Sequence, residues 1–393
     1  ASVLKLTPMI RDWPGESQHQ RAVFGLEVLR AVGTDTALMA LNGIAQKLKF
    51  QGLKEKAKVM MEGIAQARGL TREQLADRIV PDCGLDEMGG RIFDFGPRQF
   101  KFVLGAEMKP LVRDAAGKVK PDLPSPNSSD DKDKAEAAIA AWKLLKKTLK
   151  EVLKIQAERL EDAMITGRRW APQEFEMLLV KHPLIVNLAR QLVFGCYDGQ
   201  GAVQSTFRIT EDQSLADSND DPCDLPGAGS IGVVHPAHLD EAAKSAWGQV
   251  LSDYEIIPPF QQLGREICRP EPGDLDLTSI TRFKGPKIPG IVVYGILERC
   301  HWAKDIPADN GGFMQHSKHF PAANVTAFIA YDPGLSMGYY EEPQQIHSVY
   351  FVPGHVKPDW WGNHDNKLPI KAVDPVVVSE VLRLVHAIVA KGE

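Results

Sequence analysis

The sequence predicts an α+β protein: stacked helices at the front, then a mixed α+β body with antiparallel sheet and one long central helix. Three observations carry that prediction. Apolar residues recur every three or four positions in four short runs before residue 80. The same spacing continues without Pro or Gly from Asp131 to Thr166. Aromatic and β-branched stretches, punctuated by Gly, Pro and Asn, fill much of the remainder. At 393 residues the chain exceeds one ordinary core. The changes of pattern divide it into 1–85, a helical segment; 86–190, a β-hairpin with the long helix and a helical pair; and 191–393, an α+β C-terminal domain.

The front runs are Gln20–Val32, Asp35–Leu48, Leu53–Ala67 and Thr71–Arg78, with Gly33, Gly52 and Gly69 between them. Helix pairs of this length suggest HEAT-like repeats, in which each unit buries its face against its neighbours. Arg91–Phe95 and Gln99–Leu104 read as strands, and Leu111–Arg113 and Lys118–Lys120 as a second pair around the turn Asp114–Gly117. A linker with Pro121, Pro124 and Pro126 follows. In the long helix, Ala135, Ile139, Trp142, Leu145, Leu149, Val152, Gln156, Leu160 and Ala163 fall on one side. Asp130, Asp131 and Asp133 suit its N-terminus, and Gly167 ends it, roughly 50 Å away at 1.5 Å per residue. Pro172 opens a helix to Val180 behind a poor N-cap, Ala171, and Pro183 opens another over Leu184–Leu192. Val193–Tyr197 and Val203–Thr210 read as strands about Asp198-Gly199, Asp217–Gly229 as loop, and Leu239–Leu251 as helix. Ile288–Arg299 fits neither pattern well because of Gly290 and Gly295. Strands are expected at Val325–Tyr331, Ser336–Tyr340 and His347–Val352, and a last helix from Pro375 through Val376–Ala390.

Composition narrows the function. Apolar content of 44% and charge of 25% are those of a soluble globular protein. A net charge of -5 argues against a general polyanion binder. No apolar run approaches the roughly 20 residues that span a bilayer. The opening Ala1-Ser2-Val3-Leu4-Lys5 lacks a signal-peptide plan. It also lacks a polar cap, as expected of a segment of a longer protein. Five scattered cysteines, never in a CxxC pair, suit free thiols in a reducing cytoplasm. Neither a disulfide, a metal nor a cofactor is expected.

Several local patterns invite a functional reading, and each has a plainer one. His235/His238 and His316/His319 offer two ligands each, with Glu241, His301 or His347 as a third, but lack the HExxH frame and its general base. Capping histidines explain them as well. Cys300-His301, read as strand residues, point to opposite faces. Gly227–Gly232 is spaced G-x-G-x-x-G, but it follows the loop Pro222–Pro226 rather than an apolar strand and Pro236 interrupts what comes after, so it is not a dinucleotide fingerprint. No GxxxxGK[ST] loop occurs. Lys143, Lys147, Lys150 and Lys154 form a stripe that interleaved Glu151, Glu158 and Glu161 make a solvated face. The leading site residues are Arg98, placed by the Gly96-Pro97 turn, and the pair Arg168 and Arg169 behind Gly167, with His182 and His235 beside them. Guanidinium forks suit phosphate or carboxylate, although arginines after a helix also serve its last carbonyls.

Four phrases carry a resemblance: Phe95-Gly96-Pro97-Arg98-Gln99-Phe100; Gly167-Arg168-Arg169-Trp170 with Phe175, Leu178-Leu179 and His182-Pro183-Leu184; Gly232 with His235-Pro236, Trp247, Tyr254-Glu255-Ile256 and Pro259-Phe260-Gln261-Gln262-Leu263-Gly264-Arg265; and Pro375 through Arg383. Over roughly residues 85–393 the chain resembles the bacterial DUF4132 family, also called MolR-like or WGR-associated. The resemblance implies upstream helical repeats and, in some members, a WGR module that contacts DNA. It also implies MoxR-type AAA+ ATPases and von Willebrand A proteins as partners. This chain has no Trp-Gly-Arg, only Trp361-Gly362-Asn363, so nucleic acid is not expected as a partner of this chain alone. The resemblance transfers no reaction. The expected function is a non-catalytic scaffold or regulatory protein of the bacterial cytoplasm. The alternative is an enzyme or nucleotide-sensing effector built on the Arg and His residues; nucleic-acid binding through the lysine stripe comes third.

Overall fold

A computed structural model describes residues 2–48, 50–105, 108–308, 311–357 and 364–392. Trp361-Gly362-Asn363 lies outside the described residues.

The front holds α1 (Ser2–Asp12), α2 (His19–Val32), α3 (Asp35–Lys47), α4 (Gln51–Ala67) and α5 (Arg72–Arg78). Four match the apolar periodicity. The first was not singled out, because Pro8 interrupts a short pattern. Gly33 takes a left-handed φ of 62° to end α2, and the Thr34 hydroxyl then accepts from the Ala37 amide to start α3. Thr71 and Gln74 form a reciprocal capping box on α5. Consecutive helices pack around Leu26, Leu29, Leu41, Ile44, Leu53 and Met61, all fully buried.

Strands β1 (Ile92–Asp94), β2 (Gln99–Leu104), β3 (Pro110–Asp114) and β4 (Val119–Lys120) follow as an antiparallel meander. Along β2, Phe100 and Phe102 are buried while Gln99 and Lys101 are exposed, the alternation a half-covered sheet requires. What covers it is α6 (Lys132–Thr166), the long helix, 35 residues from its Asp131 cap to Gly167. Gly167, at φ 70°, closes the helix with paired bonds, Gly167 N to Met164 O and Arg168 N to Ala163 O. Trp142 lies edge-on to Phe93 at 5.3 Å and to Phe102 at 6.3 Å. Burying each such side chain contributes roughly 1.5–3 kcal/mol, so packing, more than helix propensity, holds α6 in place. Lys143, Lys147, Lys150 and Lys154 all face solvent.

Beyond α6, α7 (Pro172–Phe175) runs on into a π-helical turn, Glu176–Val180, and α8 (Ile185–Ala189) follows. A five-stranded antiparallel sheet then joins β5 (Phe194–Tyr197), β6 (Val203–Ile209), β7 (Leu215–Ala216), β8 (Pro222–Cys223) and β9 (Ser230–Val233) in the order β8-β7-β6-β5-β9. Two of these strands, β8 and β9, fall where loop and a glycine-rich segment were expected. In β9, Gly232 pairs with Gly195 and leaves room for Arg169: a Cβ there would come within 2.7 Å of the Arg169 Cδ. One core runs from Phe93 and Trp142 through Phe175, Phe194 and Ile231.

The C-terminal part contains α9 (Glu241–Asp253), capped by Asp240, and α10 (Gly290–Arg299). The ambiguous Ile288–Arg299 stretch is therefore helical. Gly290 is required because a Cβ would meet Glu342 O at 2.6 Å and Tyr340 O at 2.8 Å. Strands β10 (Ala303–Lys304), β11 (Gly312–Phe320), β12 (Val325–Ser336) and β13 (Gln345–Pro353) form the third antiparallel sheet in sequence order, and α11 (Pro375–Val389) packs on it. The strand expected at Ser336–Tyr340 is a correction: β12 ends at Ser336, and a turn through Gly338 (φ 82°) follows. The fold is thus mixed α+β, with three antiparallel sheets and one long helix among the described residues. The front is tied to the rest by Arg11–Glu151 at 2.8 Å and Lys54–Glu298 at 3.1 Å.

Candidate functional site

The arginines and histidines chosen from sequence occupy separate places, and most spend their polar atoms inside the chain. Arg98 bonds both oxygens of Asp130 and donates to Ser125 O at 3.3 Å, with Phe95 and Phe100 under its guanidinium. It fastens the β1–β2 turn to the linker before α6. The same bond holds the Asp130 carboxyl below its usual range. Arg168 turns inward to Asp77 of α5, which also bonds Arg159 and takes the Trp170 indole N–H at 2.9 Å. Burial opposes the Asp77 charge, but Arg159 and Arg168 outweigh it and keep the carboxyl below its ordinary value. The space left there is about 20 Å³, room for a single water.

Arg169 turns the other way. Its guanidinium carbon sits 3.5 Å from the Tyr197 ring centroid, and it donates to Arg168 O at 3.3 Å. The Tyr197 hydroxyl meets His238 Nδ1 at 3.1 Å. Burial and the nearby Arg169 charge push the His238 imidazole down to about 4. His182 accepts from the Leu184 and Ile185 amides through Nδ1, which leaves Nε2 to donate to Val80 O at 3.2 Å. Burial lowers its pKa, in keeping with a neutral ring. His235 is fully buried; Nδ1 accepts from the Ala237 amide at 3.1 Å, and Nε2 meets Glu380 Oε1 at 3.0 Å. The structure therefore brings Arg169 and His235 together through Tyr197 and His238, with the two imidazoles 6.2 Å apart. Arg98 lies in another sheet, and His182 caps α8. His316 bonds the Tyr331 hydroxyl at 2.9 Å, whereas His319 stacks on His355. Among the described residues no three metal-ligating side chains converge.

Glu380 leads to a second cluster of charges. It takes Arg265 through two bonds, at 2.6 and 2.8 Å, and Arg383 at 3.1 Å, while Arg265 also reaches Glu161 at 2.8 Å. Burial alone would raise the Glu380 pKa; His235 and Arg265 instead hold it far below the usual range. This network is one wall of a cleft of about 160 Å³. The C-terminal half of α6 contributes Glu158, Glu161, Asp162 and Ile165; the end of α10 contributes Arg299, Cys300, His301 and Trp302; β11 contributes Lys318 and Phe320; and α11 contributes Glu380, Arg383 and Leu384. Lys318 bonds Asp162 at 2.8 Å and Cys300 O at 3.1 Å.

Cys300 and His301 are not strand residues, as the sequence reading took them to be. Cys300 caps α10, and His301, at φ 60°, is the left-handed residue that closes it, with Trp302 N bonded to Leu297 O. Burial raises the Cys300 thiol, against the pull of Lys318, Arg383 and Arg299. A thiol–imidazole contact is formed elsewhere, Cys268 Sγ to His386 Nδ1 at 3.6 Å, and burial raises that thiol too. Sequence reasoning missed the cleft because its residues run from 158 to 384 in several elements. A signal did exist: Arg265, His235, Glu380 and Arg383 all lie in phrases quoted above for the resemblance, and those phrases meet here.

Comparison with known proteins adds the following. Residues 117–302 match the model of a family described as a domain of unknown function, DUF4132. The uncharacterized protein YehI of Escherichia coli (strain K12) is 36% identical over 282 residues, or 71% of this chain. The chain spans 23% of the length of that relative. No solved structure matches.

Proposed function

From the match of residues 117–302 to the DUF4132 model, we propose that the chain is a non-catalytic scaffold or regulatory module of a bacterial cytoplasmic system, acting through protein partners. The observation that carries this reading is where the unsatisfied surface lies. Arg98, Arg168, His182 and His235 are bonded within the chain, whereas the front helices expose large apolar side chains, with Phe24 69% and Val59 64% accessible. Arg30, Val59, Ile64 and Arg68 line an open groove of about 310 Å³ on those helices. Read as HEAT-like units, they offer the kind of stacked surface that repeats use for proteins. Among the described residues no helix is long and apolar enough to cross a membrane. The family resemblance nominates a MoxR-type AAA+ ATPase and a von Willebrand A protein as partners.

The test is binding of the purified chain to each of these two proteins from the same genome, by isothermal titration. A complex at or below about 10 µM that Val59→Asp abolishes and Lys147→Ala leaves alone supports the reading. Absence of binding to either, or binding indifferent to Val59→Asp, overturns it. The cleft on α6 favours a second reading, that of an effector whose state depends on a small ligand.

A further inference from the structure

The cleft beside the C-terminal half of α6 has a property that internal ion pairing does not use up. Its floor is neutralised: Asp162 is paired with Lys318, and Glu161 and Glu380 with Arg265. Two guanidinium groups that line it, Arg299 and Arg383, keep donors to spare. Arg299 is exposed, and its single hydrogen bond, from Nε to Gly295 O at 3.1 Å, leaves both terminal nitrogens open. Arg383 shares Glu380 through Nη2, but that carboxylate is already held twice by Arg265, and the buried Arg383 Nε has no partner. A buried N–H without an acceptor is unfavourable, and a ligand oxygen would satisfy it. The cleft also has an apolar lining of Ile165, Trp302, Phe320 and Leu384, the last three almost wholly buried.

We propose that this cleft binds a small organic carboxylate, with its hydrocarbon body against Ile165, Trp302, Phe320 and Leu384 and its carboxylate on Arg299 and Arg383. The inference goes beyond the scaffold reading and does not rest on it. Two planar forks match the two oxygens of a carboxylate. A carboxylate brings one negative charge where a phosphate dianion brings two, and Glu158, Glu161 and Asp162 of α6 line the same cleft. At about 160 Å³ the space is below the roughly 300–1,000 Å³ of drug-sized pockets, so the ligand is of metabolite size. The same chemistry is presented by the C-terminal residue of a peptide that ends in an apolar side chain.

The test uses the full chain and 3-phenylpropionate as probe, by isothermal titration or ligand-observed NMR. Binding is expected for the acid and not for its neutral isostere, 3-phenylpropionamide. Arg299→Gln, at an exposed position that leaves the core intact, is expected to weaken the acid about tenfold or more, as loss of a charged hydrogen bond does. Arg299→Lys is expected to recover part of that loss. N-acetyl-Gly-Phe distinguishes the source: tighter binding than the free acid identifies a chain terminus, and its exclusion identifies a free metabolite. No binding of the acid, equal binding of acid and amide, or an Arg299→Gln variant that binds like wild type overturns the proposal.

Discussion

Replacing Asp77 by Ala removes the one carboxylate shared by Arg159, Arg168 and the Trp170 indole. The arginine side chains are 11% and 19% exposed, so both charges stay largely desolvated after their partner is gone. Breaking a buried pair from one side costs roughly 3–5 kcal/mol. Arg168→Lys keeps the charge and loses one arm of the fork, for about 1.5 kcal/mol. Urea unfolding followed by tryptophan fluorescence reports on both, since Trp170 itself touches Asp77. The pH dependence supplies an independent check. Asp77 has a folded pKa below its ordinary value near 3.9. Its contribution is therefore complete above that value and is lost as pH falls through the lower folded one. The stability gap between wild type and Asp77→Ala should stay constant from about pH 7 to 5 and narrow below about pH 4. A gap under about 0.5 kcal/mol at pH 7, or one that does not narrow in acid, would refute the assignment of Asp77 as the hub.

Trp142→Ala and Leu149→Ala should each cost roughly 2–5 kcal/mol and Lys147→Ala within about 0.5; equal thermal melts of the three would mean that the buried face of α6 is misassigned. His238 has a folded pKa pushed to about 4, below its ordinary value. Its neutral-state stabilisation is thus present above about 6.5 and is lost as pH falls from there through the folded value. His238→Gln should flatten the melting temperature across that window, and an unchanged slope counts against burial of the ring. Binding to plain duplex DNA should be weak and vanish at moderate salt, because exposed lysines on α6 act only through counterion release. Tight, sequence-selective binding in a gel-shift assay at physiological salt would contradict the scaffold reading.

How much of this was legible depends on how local the cause is. The ends of α6 were readable because Asp131 and Gly167 act on their own helix. The first meander was readable because Phe100 and Phe102 alternate with polar neighbours. By contrast, β9 and α10 were obscured by Gly232 and Gly290, glycines that answer to Arg169 and to the carbonyls of residues 340 and 342, none of which is near in sequence. The surroundings of the candidate residues were hidden for the same reason. Side-chain chemistry picked Arg98, Arg168 and His235 sensibly, but one sequence does not tell that Asp130, Asp77 and Glu380 already hold them. Arg299 and Arg383 stand out only once the bonds around them are counted in space.

The ion pairs that tie the front helices down also bear on how such a chain can be rearranged over generations. Among the described residues the front and the body each hold half of a charge pair at four places: Lys54 with Glu298, Arg11 with Glu151, Arg78 with Glu174, and Asp77 with Arg159 and Arg168. A recombination that joined this body to a different helical front would strand Glu298 without its cation and two arginines without their carboxylate. A front put in its place would have to bring the same charges to the same places or leave those groups unpaired. In hybrid chains, compatibility should follow those few positions rather than overall similarity of the helices.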